Sequence, residues 1–211
     1  MNQKVLTRFV FVFLLIQSVF GWAQQTRDYA HDFSSDYRIE SRFGLGIMSP
    51  RGTSDYQTNP SPQILISLGL VTPSKFMYGF KLTLAPLVGA DSLKVRKDDQ
   101  YISEYPEVMS SFGLFFGFTT SHTSGWSTGM QFGAGGIVMD THVDRGEEEN
   151  TDEELRLFYV DVDWEVKKYL KGGDALGFVL GVRTTPRNWI TEPIKGKYYE
   201  KWITATLFYE L

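Results

Sequence analysis

The chain has 211 residues, of which 42% are hydrophobic and 15% aromatic, enough apolar material for one folded domain and too much for intrinsic disorder. Lys and Arg total 21 against 25 Asp and Glu, a formal charge of −4, so no basic excess exists to neutralise the phosphates of a nucleic acid. The absence of cysteine excludes disulfides, thiolate metal sites and cysteine nucleophiles.

The N-terminus reads as an address. Lys4 and Arg8 precede an apolar run from Phe9 to Phe20, and Gly21 and Ala23 supply small residues for cleavage. This three-part pattern predicts a secretory signal peptide over 1–23, because the run is too short for a spanning helix and Gln17 and Ser18 interrupt it. Residues 24–36 are polar and predict a loose N-terminal, periplasmic extension.

From Tyr37 onward the chain alternates with period two, which a helix of period 3.6 cannot do. Eight strands are predicted. The first runs from Tyr37 to Met48, with Phe43, Leu45 and Ile47 opposed to Arg38, Glu40 and Arg42. The second, Gln63 to Val71, sets Ile64, Ile66, Leu68 and Leu70 against Ser67 and Gly69. The third, Phe76 to Ala85, opposes Phe76, Tyr78, Phe80, Leu82 and Leu84 to Lys81 and Thr83. The fourth, Val108 to Thr119, opposes Phe112, Leu114, Phe116 and Phe118 to Ser111 and Gly113.

The fifth strand spans Trp126 to Met139, with Met130 and Phe132 opposite Gly129, Gln131 and Gly133. The sixth, Leu155 to Lys168, alternates most sharply, with Phe158, Val160, Val162, Trp164 and Val166 against Tyr159, Asp161, Asp163, Glu165 and Lys167. The seventh is Ala175 to Arg183, and the eighth is Tyr198 to Leu211. Within the fifth strand Gly133-Ala-Gly-Gly136 lacks the lysine and the following helix of a phosphate loop, so it relieves crowding instead.

The gaps between these strands alternate long and short, beginning long. Thr72 to Lys75, Thr120 to Gly125 and Tyr169 to Asp174 are the short ones. An antiparallel barrel with both termini on its short-turn side produces this order. The bulky Phe, Leu and Trp rows cannot all fit inside eight strands, whereas the small and ionic rows can. The apolar rows therefore face lipid, and the sheet must close because an open edge cannot exist in hydrocarbon. The fold class is thus all-β: an eight-stranded antiparallel up-and-down transmembrane β-barrel over 37–211.

On this pattern, and on the C-terminal segment ITATLFYEL from Ile203 to Leu211, the chain resembles the small bacterial outer-membrane barrels of the OmpA-transmembrane and OmpX type. It looks most like the Bacteroidota-type outer-membrane β-barrel domain proteins. The resemblance covers nearly all of the chain after residue 23 and rests on pattern, without a diagnostic motif. It implies a Gram-negative outer-membrane location, outer-membrane lipid and lipopolysaccharide as surroundings, and recognition of the alternating C-terminus by the barrel-assembly machinery during insertion. It also implies a monomer with a structural or interaction role, and an envelope-assembly or secretion partner is one form of it.

By alternation Arg38, Glu40, Arg42, Lys81, Asp161, Asp163, Glu165, Lys167, Arg183, Glu200 and Glu210 face the lumen, a near-balanced set that predicts a paired plug. The outer segment Asp144 to Glu154 reads DRGEEENTDEE, a solvated acidic loop or a loose collector of divalent cations without EF-hand spacing. Trp126, Tyr78, Phe208 and Tyr209 near the short turns, and Tyr198, Tyr199 and Trp189 near the long loops, predict interfacial girdles. Tyr56 and Trp189 are loop aromatics that a girdle does not require. Of the three histidines, His31, His122 and His142, only His142 beside Asp140 and Asp144 offers catalytic chemistry, and no serine accompanies it. No catalytic, cofactor or metal residue is assigned. Three other readings stay open: a lipid-A-modifying enzyme using His142, a narrow channel, and a soluble secreted barrel with a small ligand inside.

Overall fold

The computed structural model describes residues 37–51, 59–97, 100–121, 125–143, 151–171, 173–185 and 201–211. The predicted signal peptide and the 24–36 extension lie outside them. The described residues form nine strands: β1 (Arg38–Arg51), β2 (Ser61–Val71), β3 (Phe76–Pro86), β4 (Leu93–Lys97), β5 (Gln100–Ser121), β6 (Trp126–Val143), β7 (Thr151–Tyr169), β8 (Ala175–Thr184) and β9 (Lys201–Glu210). Eight of them make a closed ring in the order β3-β2-β1-β9-β8-β7-β6-β5. The ring shuts where β3 pairs with β5, from Phe76 opposite Phe118 to Pro86 opposite Val108. Every pairing is antiparallel. The strand ends flanking the short connections 72–75, 122–125 and 170–174 gather at one end of the barrel, and those flanking the long ones at the other.

The ninth strand is not among those predicted. β4 lies outside the ring and pairs only with the start of β5, Leu93 opposite Glu104. The stretch predicted as a long loop before Val108 is therefore partly a hairpin. Its period is hidden by a bulge: the β5–β6 register shifts between Pro106 and Val108, leaving Glu107 as the extra residue. A bulge moves every following side chain to the other face, so one continuous alternation cannot be read through it. The acidic segment needs correcting as well. β6 continues to Val143 and β7 begins at Thr151, so Thr151 to Glu154 are strand and not loop. Residues 144–150 lie outside the described ones.

The predicted faces hold through the barrel wall. Leu45, Leu114, Phe116 and Leu207 point outward and keep 59%, 66%, 64% and 69% of their surface exposed, while Arg42, Lys81, Glu165 and Lys167 are buried inside. Ile66 and Leu84 also face outward but are covered by each other's neighbours, with Val108, Phe43 and Leu82 packed beside them. Such an inside-out distribution is what hydrocarbon selects.

The polarity reverses part-way along β7. Between Phe158 and Trp164 the outward residues are apolar and the inward ones polar. Before Phe158 the order inverts: Glu154 and Arg156 stand exposed, with their charged groups 3.5 Å apart, and Leu155 and Leu157 are buried inside. A tilted membrane crossing takes roughly 9 to 11 residues. β5, β6 and β7 run 22, 18 and 19 residues, whereas β8 and β9 have 10 each. The surplus makes a one-sided rim at the long-loop end, built with the polarity of a water-soluble barrel. Inside that level sits an apolar cluster of Met48, Met109, Met139, Leu155, Leu157 and Trp202, capped by Leu87 and Leu93. The expectation of a lumen lined only by small and ionic groups is therefore wrong for its outer end. The cap is tied down by Asn59 N donating to Val88 O at 2.9 Å and by Val88 N donating to Ser61 Oγ at 3.1 Å.

A closed barrel of this kind resists detergent unfolding as a unit. Refolded in detergent micelles, the chain is expected to migrate faster on a gel before boiling than after it; identical mobility would contradict ring closure.

Candidate functional site

The lumen holds the chemistry, and two ionic clusters organise it. The one nearer the short turns is centred on Arg42. Its Nε donates to Glu210 Oε2 at 2.8 Å, Nη1 to Glu165 Oε2 at 2.6 Å and Nη2 to Glu40 Oε2 at 2.6 Å. Lys167 Nζ donates to Glu40 Oε1 and to both oxygens of Glu210 at 2.8 Å. Gln131 Nε2 completes Glu165 at 2.6 Å. Arg38 sits at the mouth, 46% exposed by its side chain, paired with Glu40 and donating to the Tyr169 hydroxyl at 2.6 Å. Three cations meet three carboxylates.

Sequence positions explain this convergence. Arg42 and Glu210 are direct cross-strand partners on β1 and β9, and Glu40 lies two residues from Arg42 on the same face. Lys167 and Glu165 share the inward face of β7. Phe208, also inward on β9 and only 2% exposed, lies beneath the Arg42 guanidinium at 5.1 Å. This corrects its placement in the aromatic girdle: it alternates with outward Leu207 and Tyr209.

The second cluster lies further along β7. Lys81 Nζ donates to Asp161 Oδ1 and Asp163 Oδ2, each at 2.7 Å. Arg183 reaches Asp161 Oδ2 at 3.4 Å and Ser111 Oγ at 2.9 Å, and its guanidinium stacks 4.2 Å from the Tyr159 ring centre. Two cations meet two carboxylates. Gly133 makes the room: a Cβ there would run into Asp161 and the end of Lys81. Gly181 does the same beside Asp163 and Thr204.

Ten of the eleven predicted lumenal charges are therefore brought together in these two groups, and Glu200 lies outside the described residues. Alternation missed Glu104, buried in the rim, which accepts from Thr141 Oγ1 at 2.7 Å. It also missed Phe115, which turns inward and packs with Val71 and Met77. Both belong to the inward parity of β5, but Glu104 precedes the bulge and Phe115 sits in an unbroken apolar run.

The remaining candidates scatter. Trp126 faces outward beside Lys168, whose Nζ lies 5.1 Å from its ring centre, and Tyr209 donates its hydroxyl to Asp174 Oδ2 at 2.5 Å. Tyr78 is exposed on the outer wall, as a girdle requires. Tyr56, Trp189, Tyr198, Tyr199, His31, His122 and Asp144 lie outside the described residues. His142 stands on β6 next to the rim, across from Tyr105 and Asp152 in register, and no serine faces it on either neighbouring strand.

No protein-family model matches the chain, and no curated protein matches it. Solved structures do. Neisserial surface protein A superposes with a TM-score of 0.51 at 11% identity, over 83% of this chain and 96% of its own. A major outer membrane protein of Thermus thermophilus also gives 0.51, at 9% identity, over 83% of this chain and 99% of its own. The closed eight-stranded antiparallel barrel of this chain is thus the fold of outer-membrane barrels.

Removing one member of a buried ionic group leaves its partners uncompensated, at a cost of roughly 3–5 kcal/mol, whereas an exposed pair contributes about 1 kcal/mol or less. Lys167→Met, which strands Glu40 and Glu210, is expected to lower the urea midpoint of the detergent-folded barrel substantially. Arg38→Gln at the mouth should shift it little, and equal losses from both would refute the division.

Proposed function

We propose that the chain is an integral outer-membrane protein of a Gram-negative bacterium that acts as a closed scaffold and presents its long-loop rim to partners at the cell surface. The observation that carries this reading is the polarity reversal on β7. An apolar belt for lipid gives way at Phe158 to a wall of soluble character, so the rim stands in water beyond the bilayer. Loops and edges on a rigid scaffold are where binding usually resides.

In this reading residues 1–23 direct export and are removed, 24–36 trail in the periplasm, and the barrel-assembly machinery reads the alternating C-terminal strand. The barrel is a monomer of the Bacteroidota-type kind, in contact with lipopolysaccharide at the outer face, and it serves as an accessory of envelope assembly or secretion. The lumen favours a scaffold over a channel. Two ion clusters, each of zero net charge, and an apolar cap occupy an interior that eight strands already make narrow. The inward charges also argue against a soluble barrel with an apolar ligand inside. Among the described residues no serine stands opposite His142 on the neighbouring strands, so the geometry lends no support to a lipid-modifying enzyme.

Two measurements test the reading. Inserted into planar bilayers, the full chain is expected to give no unitary conductance steps; regular steps would overturn the closed scaffold. Native envelopes washed with alkaline carbonate should retain it until detergent is added, and release by carbonate alone would end the membrane assignment.

A further inference from the structure

The outer wall is not uniform. Near the short turns a groove of about 770 Å³ runs across β7, β8, β9 and β1, with a nearly apolar lining. Its floor consists of two consecutive cross-strand rows. One row passes Trp126, Lys168, Leu176, Tyr209 and Phe43, each opposite the next in register. The other passes Val166, Phe178, Leu207 and Leu45. All of these side chains belong to the outward faces, and Leu176 and Leu207 are more than half exposed.

The two ends of the first row differ in depth. Trp126 opens β6 directly after a short turn, and Lys168 is one residue from the end of β7. Phe43 and Leu45 lie well inside β1. Because barrel strands tilt by about 35–45° to the axis, a row perpendicular to them climbs obliquely through the bilayer. Four inter-strand steps of about 4.8 Å give a path of about 19 Å, which at that tilt climbs about 11–13 Å along the axis, most of one leaflet's share of a hydrocarbon core about 30 Å thick. Among the described residues lining the groove, Lys168 is the one charged side chain, and it forms no ion pair with a described carboxylate. Trp126 lies against it, and Tyr209 follows in the same row beyond Leu176, both aromatics of the interfacial kind. Asp174 stands at the same rim, its carboxylate engaged by the Tyr209 hydroxyl.

We infer that this track holds a glycerophospholipid of the inner leaflet, with the lipid phosphate on Lys168 and one acyl chain laid along Leu176, Leu207 and Leu45. The inference rests on the outer-membrane reading above. A cation at the interface with an apolar path leading inward from it matches the two halves of such a lipid.

The test uses the full chain refolded into phosphatidylcholine vesicles that contain a phosphatidylglycerol with a photoactivatable diazirine in its acyl chain. Crosslinked peptides are mapped by mass spectrometry. Label is expected to concentrate on peptides holding Leu45, Leu176 and Leu207 over those holding Leu114 and Phe116. Lys168→Gln should lower its capture about five-fold, the weight of one cation near an anionic surface. Leu207→Trp, which fills the track and leaves the charge, should lower it as well, and Lys75→Gln in the 72–75 turn should not. Even labelling around the wall, or capture unchanged by Lys168→Gln, overturns the lipid site. A chain that enters the vesicles with heat-modifiable mobility yet labels evenly loses that site alone, whereas a chain that never enters them brings down the membrane reading with it.

Discussion

A sheet surrounded by hydrocarbon has no water to satisfy an unpaired edge, and each orphaned backbone group there costs several kcal/mol. With β1 paired to β9 and β3 paired to β5, the eight-stranded ring has no such edge, and the rest of the molecule follows from its closure. Closure fixes an inside and an outside. The outside then takes whatever lipid tolerates, and the inside must hold everything else in a bore that side chains alone can fill. The position of β4 shows where this constraint stops. It is an edge strand, paired on one side only, and it sits at the long-loop end, where water can satisfy it.

The interior answers the constraint in two ways along its length. At membrane depth it is ionic, with charges grouped so that each group sums to zero. Burying charge is tolerable there because Arg42 directs its donors to three carboxylates and Lys81 bridges two. At rim level it is apolar, as in a soluble domain, because the outside is wet and the inside is the drier place. The wall thus carries two opposite amphipathic rules, joined at Phe158. Methionines from three strands fill the junction with Trp202, a use of flexible side chains in an irregular space.

The strands were readable in the sequence because lipid imposes a strict rule on alternate residues, and β7 from Phe158 to Lys167 states that rule without interruption. Ten lumenal charges could be placed by parity alone. What escaped has local physical causes. Glu107 inserts an extra residue, so the parity that locates Met109 and Phe112 does not carry back to Glu104 and β4. The run Leu157-Phe158-Tyr159-Val160 is apolar on both faces, and it marks the reversal of polarity, but from sequence it looks like a thicker belt. Phe208 reads as a girdle aromatic by its place near the chain end, although its parity sends it inward under Arg42. The site itself was only half legible. Parity says which charges share the interior, but the division into two neutral groups depends on shear and on the space at Gly133 and Gly181, which only the folded ring defines.

The Arg42 cluster joins residues that lie far apart along the chain. Arg42 and Lys167 both depend on Glu210, next to the end of β9, and Arg42 reaches Glu165 more than a hundred residues away. The Arg42–Glu210 bond exists only once the first and last strands meet. A ring lacking β9 would set Arg38, Arg42 and Lys167 against Glu40 and Glu165 alone, one positive charge unmatched in its interior, so the last strand and its correct registry are rewarded together. Electrostatics here serves as an internal proofreader of assembly, accepting the finished cylinder and penalising every partial one.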